Sequence, residues 1–70
     1  MMQPAIGQMA WACYHLGDGH WQYSSAKILY RHQGPLWKTD LFPGVMHEED
    51  LCATQEDAMI VCQQNNVAHV

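Results

Sequence analysis

Positive charge is what this chain has least of. Three basic residues stand against seven acidic ones, a formal net charge of −4. Nucleic-acid binding needs a basic footprint to neutralise phosphates, so this balance argues against it. Charge of either sign is scarce, at 14% of 70 residues, while 49% are hydrophobic. Disordered chains show the reverse composition. No apolar run is long enough to span a bilayer, which argues against a membrane partner. The N-terminus lacks the positive charge and continuous apolar run of a cleavable signal. The three cysteines, Cys13, Cys52 and Cys62, are an odd number with no close pair, which excludes a disulfide framework. Free thiols behave as small buried hydrophobes, and they point to a reducing cytoplasm, bacterial or of a phage-infected cell. There is no glycine-rich phosphate loop, no serine elbow, no repeat and no linker.

What is present reads as strands followed by one helix. Met9, Trp11 and Cys13 alternate with Ala10, Ala12 and Tyr14, a strand pattern within the uncharged stretch 5–16. Gly17-Asp18-Gly19 supplies a hairpin turn. Residues 20–31 form the longest strand candidate. There Trp21 and Tyr23 have one parity, while Ala26, Ile28 and Tyr30 have the other. A bulge at Ser24-Ser25 would bring both groups to the core face; without it, Trp21 and Tyr23 form an exposed aromatic pair. His32 to Pro35 make a second turn, 36–42 a third strand closed by Pro43-Gly44, and 45–53 a final acidic edge strand. Thr54 caps a helix over 55–64, with Asp57 placed to reach back to the cap and Asn65-Asn66 as its stop. The expected fold is therefore α+β: one domain, 1–70, an antiparallel sheet of three or four strands with the C-terminal helix on one face. Its core should hold Trp11 or Cys13 together with Ile28, Tyr30, Leu36, Leu41, Phe42, Leu51, Ala58, Val61 and Cys62.

A single helix leaves one sheet face uncovered, and three tryptophans with three tyrosines are a large aromatic load for so small a core. Trp21, Tyr23 and Trp37 are the candidate contact residues, with Asp40, Glu48, Glu49 and Asp50 as a charged rim or phosphate mimic. The plainest account of the acidic half is a solvated face that keeps a small protein soluble. Five histidines and three cysteines also suggest a metal, for which Cys13, His15 and His20 are the best-placed set. They lack the paired spacing of a closed zinc site. A Cys–His catalytic pair would need a pocket and an oxyanion hole, for which three strands and a helix leave little room.

Asp18-Gly19-His20-Trp21, Ile28, Gly34 and Thr54-x-Glu56-x-Ala58, with Cys62 one helical turn on, form a pattern over residues 16–66. It resembles short, functionally uncharacterised bacterial strand-strand-strand-helix proteins. The chain departs from that pattern at Leu51-Cys52, where an aromatic is commoner, and at Asp57, where Glu is usual. The resemblance implies the fold and no activity or cofactor. The expectation for function is a non-enzymatic interaction module without cofactor, binding another protein or a second copy of itself. Two alternatives stand beside it: a phage-type acidic inhibitor of a nucleic-acid-binding host protein, and a small His/Cys metal-binding domain.

Overall fold

The computed structural model describes residues 3–17, 19–41 and 44–68. Five strands, β1 (Met9–Tyr14), β2 (Gln22–Gln33), β3 (Leu36–Thr39), β4 (Val45–His47) and β5 (Leu51–Cys52), precede one helix, α1 (Gln55–Ala68). All pairings are antiparallel and the strand order is β4-β3-β2-β1-β5. The α+β arrangement is the one expected, with a fifth strand. The acidic segment 45–53 is not one edge strand. A 3-10 turn, Glu48–Asp50, divides it into the two edges of the sheet.

That division forces the sheet to curl. Laid flat, edge strands four spacings apart would be separated by roughly 19 Å. The chain from His47 to Leu51 reaches at most ~14 Å. β2 supplies the bend. Its first half pairs with β1 and its second half with β3, with register shifts between Ile28 and Tyr30 and between Arg31 and Gln33. Such bulges bend and twist a strand. The turn itself is capped by His47, whose Nδ1 accepts the Glu49 N–H (3.2 Å), and is closed by the Leu51 N–H donating to the Glu48 carbonyl.

Curling creates an interior on the face away from the helix. Ala10, Ala12, Ala26, Ile28, Trp37, Met46 and Leu51 form one buried cluster there, with Tyr14 and Leu41 packed against it. The cross-strand pairs Ala10↔Ala26 and Ala12↔Leu51 face inward together. The alanines keep the strands close enough for Trp37 and Leu51 to fill the space. The helix packs on the outer face of β1, β2 and β5. Ala58 and Cys62 are buried beneath it, as are Cys13 and Cys52 from the strands. Both faces of β1 are thus covered, which accounts for its lack of charge.

Several expectations change accordingly. The β1–β2 register runs unbroken from Met9↔Lys27 to Tyr14↔Gln22, so there is no bulge at Ser24-Ser25. Trp21 and Tyr23 do not form an exposed pair either. Tyr23 lies opposite Cys13, on the face the helix covers, and meets Trp11 edge-on at 6.2 Å. Tyr30, expected inside, is 49% exposed, because the register shift after Ile28 reverses its parity. Leu36, Leu41 and Val61 are half-buried, and Phe42 lies outside the described residues, as do Asp18 and Pro43 of the two turns. Gly17 has φ +60°, which suits the turn assigned to it.

The helix begins where its cap predicts. Asp57 N–H donates to Thr54 Oγ1 at 3.2 Å, and the Ala58 N–H to the Thr54 carbonyl. Thr54→Ala is expected to cost about 1 kcal/mol. In urea unfolding this should appear as a lower midpoint with an unchanged slope. The helix does not stop at Asn65-Asn66 but runs four residues past Gln64, to Ala68. Asn66 accepts the Trp21 N–H at 2.8 Å and returns a longer bond, 3.4 Å, to the Trp21 carbonyl. A tertiary contact 45 residues away, which local propensity cannot register, holds this turn of helix in place.

Candidate functional site

Three consecutive acids occupy the turn that closes the sheet, and they serve three different places. Glu48 is drawn inward, where its carboxylate accepts the Trp37 indole N–H at 3.4 Å. Glu49 lines a groove of about 400 Å³ between β5 and α1. Asp50 lines a smaller hollow of about 240 Å³ at the end of β1. No continuous charged rim results.

The groove has an apolar floor and wall formed by Leu51, Cys52, Ile60 and Val61, with Glu49 and Asp57 as its acids. Ile60 is 52% exposed, a large apolar side chain left in water. The groove runs beside β5, which has a neighbour on one side only. The hollow is bordered by His15 and Trp21 beyond β1, Val45, Met46 and His47 on β4, and Asp50. It exists because β5 pairs with only Trp11 and Ala12, so the last residues of β1 extend past it toward β4.

Burial sets the local electrostatics. Desolvation raises the Asp50 carboxyl above the usual range, and Glu49 adds to this while His47 and His15 oppose it. The Cys13 thiol is pushed strongly upward, first by burial and then by the neighbouring Cys62 thiol and the Asp50 carboxylate. Cys52 is raised by burial, with Asp57 and Asp50 contributing. Buried thiols held in the protonated form are poor nucleophiles.

The residues singled out from sequence are dispersed. Trp37 is not a surface contact. It is 9% exposed, it joins the interior cluster, and the Arg31 guanidinium lies 5.8 Å from its ring centre. Asp40 closes the end of β3, where its Oδ1 accepts the Lys27 N–H at 2.8 Å and its own N–H donates to the Lys27 carbonyl. Trp21 and Tyr23 are half-buried. The Cys13, His15 and His20 set does not assemble. Cys13 is fully buried under the helix, while His15 and His20 are exposed. Among the described residues, no group of three His, Cys, Asp or Glu side chains is placed to hold a metal ion.

Sequence reasoning missed the groove. Its one available signal was Ile60, which sits off the Ala58–Val61–Cys62 stripe of the helix. Among the described residues, no helix is long and apolar enough to cross a membrane. Comparison with protein-family models, curated proteins and solved structures finds no match to this chain.

Proposed function

We propose that the protein is a non-enzymatic interaction module that holds an extended, basic and apolar segment of a partner protein in the groove between β5 and α1. The observation that carries this reading is the groove itself: exposed Ile60 beside an edge strand, with Glu49 and Asp57 on its walls. An extended segment can add to a sheet edge through its backbone while alternate side chains enter the groove. The two carboxylates favour a lysine or arginine in that segment.

A second copy of this chain fits less well. It has three basic residues, and two already donate to backbone carbonyls of their own chain. Arg31 Nε donates to the Gly34 carbonyl at 2.8 Å, and Lys38 Nζ to the Gly44 carbonyl at 3.4 Å. Unpaired, buried thiols suit a reducing compartment, and on that ground we place the module in the cytoplasm.

The test uses synthetic peptides in which Lys alternates with Val or Leu, and counterparts carrying Glu for Lys. The basic peptides should shift the amides of Leu51, Ile60 and Val61 in a saturable way. Ile60→Ser, which removes the apolar side chain without adding charge, should weaken them by about tenfold, with the fold intact. Equal binding of the acidic peptides would overturn the reading. So would sedimentation as a dimer that Ile60→Ser dissociates, since the occupant would then be a second copy.

A further inference from the structure

We propose that the hollow at the end of β1 binds a weakly hydrated organic cation, a guanidinium or quaternary ammonium head carried on a peptide side chain. This is a second site, separate from the groove and independent of it. Its acid is Asp50, whereas the groove uses Glu49 and Asp57.

Three observations meet there. First, Asp50 is a half-buried carboxylate, and no Lys or Arg side chain is salt-bridged to it among the described residues. His47 Nδ1, the nitrogen that accepts the Glu49 N–H, lies 4.0 Å from a Glu49 carboxylate oxygen. Second, the wall is aromatic. The His15 and Trp21 rings lie 4.5 Å apart, tilted by 53°. A cation over an indole face is attracted by the ring quadrupole, and the gain grows as water is excluded. Third, hydrogen bonds hold the backbone that carries Trp21 and the ring of His15. Asn66 grips the Trp21 backbone through its N–H and its carbonyl, and His15 Nδ1 lies 2.9 Å from the Gly17 carbonyl oxygen.

The same inventory selects the class of cation. A hard inorganic ion needs six or more oxygen ligands in place of its water, and this hollow offers one carboxylate. A primary ammonium is strongly hydrated and gives up water reluctantly. Val45 and Met46 complete the wall with apolar surface, which suits alkyl groups or the flat guanidinium. Burial already penalises the ionised Asp50, and a seated cation would offset that penalty.

The experiment is a nuclear magnetic resonance titration at pH 8, where free imidazole is neutral. The probes are N-acetyl-trimethyllysine methylamide and N-acetylarginine methylamide, with N-acetylcitrulline methylamide as the uncharged control. Both cations should shift the Trp21 indole N–H and the amides of His15 and Asp50 to saturation, and citrulline should not. Asp50→Asn should weaken the cations by about tenfold, and Glu56→Gln, at an exposed acid outside both sites, should leave them unchanged. The proposal is overturned by citrulline acting like arginine, by Asp50→Asn binding as well as the unaltered chain, or by shifts confined to Ile60 and Val61. If Asp50→Asn does not fold, the comparison of arginine with citrulline on the unaltered chain still decides.

Discussion

Trp37→Ala is expected to remove a large share of the stability of this domain, leaving a chain that melts at least ~12 °C lower or does not fold. The indole is 9% exposed and belongs to the interior cluster. It stands on β3 between Arg31 of β2 and Met46 of β4, so its removal empties the bend of the sheet from both sides. Truncating a buried tryptophan costs about 3–5 kcal/mol. A 70-residue domain has roughly 3.5–10 kcal/mol in total. Each kilocalorie is worth about 4–8 °C at this size. Trp37→Phe separates the two parts of the effect. It keeps an aromatic ring in the interior but loses the N–H that Glu48 accepts, so it should cost about 1–2 kcal/mol. Thermal unfolding followed by circular dichroism checks both variants. A Trp37→Ala protein melting within a few degrees of the parent would show that this ring does not fill the core. The distinction matters for function, because lost binding in this variant would report unfolding rather than a missing contact.

How much was legible in the sequence follows from the range over which each feature is decided. The helix start was readable because Thr54, Glu56 and Asp57 act within one turn. The alternation in Met9–Tyr14 was readable because pleating is local. The division of 45–53 had a signal that a strand reading passes over. Glu48, Glu49 and Asp50 are consecutive, and a strand must turn at least one of them toward its buried face, whereas a 3-10 turn sends them in separate directions. Tyr30 and Trp37 were misplaced for one shared reason. Parity along β2 is reset after Ile28 by pairing with β3, a contact that lies outside any local window. The uncovered sheet face also followed from local reasoning and is absent, because the sheet covers its own inner face by curling. The groove beside β5 and the hollow at the end of β1 depend instead on how far β5 extends along β1. That length is set by the reach of the 3-10 turn.

Leu51→Ala should be nearly as damaging as Trp37→Ala, and its pattern of damage is more specific. Leu51 is fully buried, and β5 has only two residues, so this side chain is half of what holds the strand in place. Across the ladder it faces Ala12, also fully buried. The variant therefore sets alanine opposite alanine and leaves a cavity that neither strand can close. The expected cost is about 2–5 kcal/mol. Because α1 follows β5 after only Ala53 and Thr54, amide exchange in β5 and α1 should rise together. Protection in β2 and β3 should then fall less than in β5 and α1. The exchange of partners, Ala12→Leu with Leu51→Ala, tests whether volume at this one contact is the cause. Ala12→Leu alone overpacks the interior and should cost about 1–3 kcal/mol. Two independent defects would add, whereas a shared cavity makes the double variant more stable than that sum by at least ~1 kcal/mol. Strict additivity in urea unfolding would mean that Leu51 and Ala12 do not fill the same space. The closure of the sheet through Glu48–Asp50 would then require another explanation.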